Sequence, residues 1–234
     1  MKHTTLALSL LFAAHAFAAE SPDSIIKKVD DIRNPAESFF MKVEIHDVAT
    51  PKSQYIYDVS LNGNTKTLVK TIEPAREQGR NFLMLEEDMW AFLPNLGRAV
   101  RVSLSQKLTG QAANGDISRM RWSGDYTPTI EKETPKEWVL FLTANKKGLT
   151  YEKVRVWVDK SNYHPTHAEF LAASGKPLKN AIYQGYKTMS GKVRPTQMII
   201  QDANRTSDQS QITILNMTPK SFPASLFNPK SMEE

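Results

Sequence analysis

The residues best placed to do chemistry lie in the run His164-Pro165-Thr166-His167-Ala168-Glu169. Side chains alternate between the two faces of a strand, so His167 and Glu169 would share one and could offer an imidazole and a carboxylate to a metal ion. Pro165 disrupts regular spacing of a third ligand, and the simpler reading is a turn at Asn162-Tyr163-His164-Pro165 entering a strand with a polar outer face. The acids Glu86-Glu87-Asp88 read as a solvated turn, and Asp116 with Arg119 and Arg121 as a helix-start acid beside two surface arginines. The chain has no cysteine, which excludes a thiol nucleophile, a C-x-x-C pair, a disulfide and a lipid-modified cysteine. No G-x-S-x-G, H-E-x-x-H or glycine-rich phosphate loop occurs either. We therefore expect no catalytic residue, no metal and no cofactor: the chain reads as a non-enzyme.

What the sequence offers instead is large apolar side chains at alternating positions. One amphipathic helix opens the mature protein, with Ser21, Asp23 or Ser24 as N-cap and Ile25, Ile26, Val29 and Ile32 at helical spacing before Pro35. After it the period changes to two. Phe39, Met41, Val43 and Ile45 alternate with polar residues, as do Tyr55, Tyr57, Val59 and Leu61, the pattern of half-buried antiparallel strands. Asn62-Gly63-Asn64 predicts a hairpin between 54–61 and 66–72. A second hairpin, turning at Glu87-Asp88, would pair Leu85 with Trp90 and Leu83 with Phe92. Whether Val100 and Val102 share the Trp90 face depends on whether a bulge intervenes.

The longest break in the strand series runs from Ser105 to about Thr127, with a helix-like stretch at Ile117 to Trp122. Six more strand candidates follow: 138–144, 151–158, 167–172, 178–186, 193–202 and 209–217. A helix-like tail is expected at Ala224 to Phe227. About ten strands with no helix between them exclude a parallel βαβ fold and predict one antiparallel sheet that must curl, in a single domain over 19–234.

The N-terminus has the three parts of a cleavable export signal: Lys2, an apolar run from Leu6 to Phe17, and small residues Ala16 and Ala18 around Phe17. Cleavage after Ala18 makes 1–18 a signal peptide. The run is too short to span a bilayer, so an extracytoplasmic, untethered protein is expected. The formal net charge is +5 from 30 Lys and Arg against 25 Asp and Glu. Those charges are scattered, which fits a solvated surface with at most transient contact with anionic membrane lipids, and does not fit nucleic acid.

Several stretches in fixed order resemble the LolA-like superfamily, the outer membrane lipoprotein-sorting proteins, and within it the branch associated with RND/MMPL-type exporters. They are Gly79-Arg80 leading to Leu85, Met89-Trp90-Ala91-Phe92-Leu93-Pro94, Arg98 to Ser103, Leu108-Thr109-Gly110-Gln111 with Asn114-Gly115-Asp116-Ile117, Tyr163-His164-Pro165, Gly175 to Lys179, Tyr183 to Tyr186, Arg194-Pro195 with Met198, and Phe227-Asn228-Pro229. The resemblance implies an α+β fold: a half-open, strongly curved antiparallel β-barrel with an N-terminal helix and short lid helices over the concave face. It also implies an apolar cavity that shields acyl chains crossing the periplasm.

The function expected on that basis is a soluble periplasmic carrier of lipid or lipoprotein acyl chains bound for the outer membrane. The alternative is a non-catalytic accessory subunit that docks an inner-membrane exporter of the RND/MMPL type. The expected cavity residues are Leu83, Leu85, Trp90, Phe92, Val100, Val102, Tyr55, Tyr57 and Val59, under a lid carrying Leu104, Leu108, Ile117, Met120 and Trp122. Burial supplies the driving force, at about 0.8 kcal/mol per methylene.

Overall fold

The computed structural model describes residues 20–233. The expected signal peptide, 1–18, lies outside the described residues. Helix α1 (Pro22–Arg33) starts where local chemistry dictates: Pro22 fills the first turn, and the Ser21 hydroxyl accepts the Ser24 N–H at 3.2 Å. It buries Ile25, Ile26, Val29 and, unusually, Asp30. At its other end the buried Arg194 donates to the Asp31 and Ile32 carbonyls at 2.9 and 2.5 Å, placing a cation where the helix dipole favours one.

Fifteen strands follow: β1 (Ser38–Asp47), β2 (Thr50–Asn62), β3 (Lys66–Glu73), β4 (Phe82–Leu85), β5 (Asp88–Leu93), β6 (Arg98–Val102), β7 (Lys107–Thr109), β8 (Ala112–Ala113), β9 (Tyr126–Glu133), β10 (Glu137–Ala144), β11 (Lys153–Asp159), β12 (Pro165–Leu171), β13 (Pro177–Met189), β14 (Lys192–Asp202) and β15 (Gln209–Pro219). Thirteen of them form one antiparallel sheet in the order β6-β5-β4-β3-β2-β1-β15-β14-β13-β12-β11-β10-β9. Two meanders thus meet where β1 pairs with β15, leaving β6 and β9 as the edges. The sheet does not close into a barrel. Register shifts at Lys42/Val43, Val139/Leu140 and Trp157/Val158 are among the bulges that bend it.

The alternation read from the sequence sets which face is the core. Phe39, Met41, Val43 and Ile45 of β1 point the same way as Tyr55, Tyr57, Val59 and Leu61 of β2, and pack in one cluster with Leu140, Val156, Phe170 and Ile200 from the other meander. Helix α1 lies on that concave side. The segment 103–125, which joins one sheet edge to the other, does as well. It contains the small β7–β8 pair and a short helix, α2 (Asn114–Ser118), three residues earlier than the expected helical stretch.

Two sequence expectations shift. The β4–β5 turn falls on Glu86-Glu87, because Glu86 adopts φ 54, so Leu83 pairs with Trp90 and Leu85 with Asp88. A slip of two residues keeps every side chain on its expected face. Strand β9 was not expected at all. It carries Pro128, which a central strand would not tolerate but an edge strand does.

Candidate functional site

Between α1, the 103–125 segment and the sheet lies an apolar cleft of about 470 Å³ of atom-free space, part of it open to solvent. Its floor is Met41 and Val43 of β1, Met198 of β14, and Ile212 and Ile214 of β15; its roof is Ile117 and Met120. These residues meet because β1, β15 and β14 are successive neighbours at the junction of the two meanders. The cleft is narrow, and little of it is wide enough for water, so a chain-like ligand would enter by parting roof from floor. Arg33, Asp116, Tyr183 and Met198 also line an adjoining recess with Trp122, Tyr126, Tyr151 and Phe170.

The roof is fastened by polar contacts at both ends. Asp30, fully buried, accepts from the backbone N–H of Trp122 at 3.0 and 2.9 Å and from both the N–H and hydroxyl of Ser123 at 2.7 Å. Burial raises its carboxyl above the ordinary value, against the pull of Arg33 and those donors. Arg119 donates two bonds to Asp125, at 2.6 and 2.9 Å, and one to the Glu86 carbonyl. Burial pushes Asp125 up, but Arg119 and Lys146 outweigh it and hold the carboxyl below its usual range. Toward the other meander, Tyr151 donates to Asp116 at 3.0 Å, Lys179 to the Gln111 carbonyl at 2.5 Å, and the Gln111 N–H to Ser210 at 2.8 Å. Burial is the main reason the Asp116 carboxyl also sits above its ordinary value.

The structure divides the sequence-predicted residues between the two faces. Tyr55, Tyr57, Val59, Val100 and Val102 are on the concave side, with all five expected roof residues, Leu104, Leu108, Ile117, Met120 and Trp122. Of these, Ile117 and Met120 line the cleft and Trp122 the recess; Leu108 instead covers Tyr55 and Tyr57 toward the β3–β4 end. No bulge separates β5 from β6: Val102 pairs with Met89 and Val100 with Ala91, so neither shares the Trp90 face. Leu83, Leu85, Trp90 and Phe92 occupy the convex side, where the tail lays Phe222, Leu226, Phe227 and Met232 over them and over Leu68. The expectation that these four line the same cavity as the roof residues is therefore corrected: the pleat points them away from it.

His167 and Glu169 do share a face, the outer one. There His167 stacks on Trp157 at 3.8 Å and Glu169 pairs with Arg155. Among the described residues no three His, Cys, Asp or Glu gather to hold a metal ion, and no helix is long and apolar enough to cross a membrane.

Sequence reasoning missed Arg33 and Tyr183, along with the cleft floor. For Arg33 a signal existed: Asp30 and Arg33 follow Ile26 and Val29 on the buried stripe of an amphipathic helix, where two charges are out of place.

An open antiparallel sheet curled round a helix, with an apolar cleft under a fastened connecting segment, defines a class of protein by fold. Comparison with known proteins gives the family. A LolA superfamily protein from Nitrosomonas europaea is 37% identical, matches with a TM-score of 0.84, and covers 91% of this chain and 100% of its own. The chain belongs to the LolA superfamily. A protein-family model described as "Uncharacterized protein" matches residues 63–234. The fold recurs in a domain assigned as an outer membrane lipoprotein-sorting protein from Vibrio parahaemolyticus (20% identity, TM-score 0.73, covering 91% of this chain and 98% of that one). It recurs also in a DUF1329 family protein from Desulfovibrio piger (16% identity, TM-score 0.75, covering 91% and 100%). Among curated proteins, no sequence matches.

Proposed function

We propose that the protein is a periplasmic carrier that shields the acyl chains of a lipid or lipoprotein on the way to the outer membrane. The observation that carries this reading is the cleft: apolar side chains from β1, β14 and β15 face apolar side chains of a roof that is tied down by hydrogen bonds rather than by packing alone. Hydrogen bonds to charged groups contribute about 1.5–3 kcal/mol each net, because water takes up the freed groups when they break, so such a roof can part and reclose at a finite cost. An apolar chain repays the opening at about 0.8 kcal/mol per buried methylene. Membership of a superfamily that includes lipoprotein-sorting proteins supports the same reading. The carrier needs no bond-breaking step: cargo is held by area and released when the roof opens against a better acceptor.

The test is lipid extraction and native mass spectrometry of the purified protein, with uptake of a fluorescent fatty acid as the functional assay. Co-purifying amphiphile and saturable uptake are expected. Protein that carries none and takes up none would refute the proposal.

A further inference from the structure

The cleft is not apolar throughout. Tyr183 lines both the cleft and the recess behind it, and its hydroxyl is buried with no hydrogen-bond partner among the described residues. A phenolic O–H in that position is expensive, since the lost hydration is not replaced. Beside it lies the Arg33 guanidinium, its side chain 10% exposed, stacked 3.9 Å from the Trp122 ring centre and 5.8 Å from that of Tyr183. A guanidinium has five N–H donors. Among the described residues Arg33 makes a single long hydrogen bond, 3.5 Å to Asp30. The nearby Asp116 is an acceptor already engaged by Tyr151 and the Ala113 N–H. The junction between cleft and recess therefore holds donors that no described residue engages, beside an apolar slot.

We propose that this junction binds the carbonyl end of an acyl chain, with Tyr183 and Arg33 donating to its oxygen while the hydrocarbon lies along Met41, Met198 and Ile212. This rests on the carrier reading and sharpens it: the ligand enters with an oxygen acceptor, not a bare methyl end, against Tyr183. Arg33 and Lys179 together offset Asp30 and Asp116, so the site carries no excess charge of either sign; a carboxylate and an ester carbonyl offer these donors the same acceptor chemistry.

The experiment titrates three compounds with the same twelve-carbon chain into wild type and Tyr183→Phe: laurate and dodecyltrimethylammonium below their critical micelle concentrations, and methyl laurate below its solubility limit. The variant should weaken laurate by on the order of ten-fold, the worth of one such bond, while dodecyltrimethylammonium changes less than about two-fold. An equal loss for methyl laurate identifies an ester carbonyl as sufficient, and a loss confined to laurate identifies a carboxylate; both support the site. Unchanged laurate affinity, or an equal loss for all three, overturns it. If wild type binds none of the three, the carrier reading itself fails. A second measurement needs no variant: the carbonyl resonance of ¹³C-carboxyl-labelled laurate or its methyl ester should shift from its solvated position on binding, with magnetisation transfer to the Tyr183 ring. A carbonyl that keeps its solvated resonance overturns the assignment.

Discussion

The sheet buries apolar side chains on both faces, and the two covers differ in kind. On the convex side the tail presses Phe227 and Met232 onto Leu68 and Leu83, and the patch closes with little polar involvement beyond the 2.8 Å bond from Asn81 to the Met232 carbonyl. On the concave side the roof leaves a cleft, carries buried charges at Arg119 and Asp125, meets the buried Asp30 of α1, and is tied to both meanders. A packed patch is cheapest to keep shut. A roof held by directional bonds over unfilled apolar space is the cover that the carrier proposal requires to open. The difference teaches that aromatic surplus alone does not mark a binding face; the face to look for is the one whose cover is polar at its fastenings and apolar beneath.

The comparison can be broken most sharply with a matched pair of substitutions. Met198→Asp places a carboxylate in the cleft floor and should weaken fatty-acid uptake by about a hundred-fold, equivalent to about 3 kcal/mol. Trp90→Asp, on the other face, should leave uptake within about two-fold while lowering thermal stability. Uptake lost in Trp90→Asp and kept in Met198→Asp would reverse the assignment of faces. Next in size, Arg119→Ala leaves Asp125 with Lys146 and Asn64 as remaining partners. It should cost about 2.5 kcal/mol in denaturant unfolding, with faster amide exchange over 114–123 than over the convex patch. Deleting the tail from Phe222 onward should cost about 2 kcal/mol of stability, after the entropy regained by the tail, and leave uptake intact.

The smallest effect is one of pH. Asp125 sits below its ordinary carboxyl value of 3.8 because of Arg119 and Lys146, against the opposing effect of burial. Its contribution is therefore complete above that ordinary value and is lost as pH falls through the lower folded value. Roof-segment amide exchange should rise in that acid range before exchange in β1 does, and Asp125→Asn should remove this difference.

Much of this architecture was legible in the residues. The clean period of two in β1 and β2 gave both the strands and their buried faces, and the longest break in the series was the roof. What failed has physical reasons. In β4 both faces are apolar, Phe82 and Met84 on one and Leu83 and Leu85 on the other, so alternation fixes which residues go together but supplies no polar face to mark the outside. The cover that hides the second face comes from the last residues of the chain, a contact no local pattern reports. Strand β9 was hidden by Pro128. Tyr183 looked like any strand tyrosine, since nothing in its neighbours says that its hydroxyl ends up without a partner.

The most direct test of the central claim uses the methionines as reporters. Met41, Met120 and Met198 line the cleft, while Met232 belongs to the tail, packed on the opposite face. With methyl-labelled methionine, addition of a spin-labelled fatty acid should broaden the resonances of the first three and leave Met232 sharp. Broadening of Met232 with the cleft methionines untouched would contradict the account.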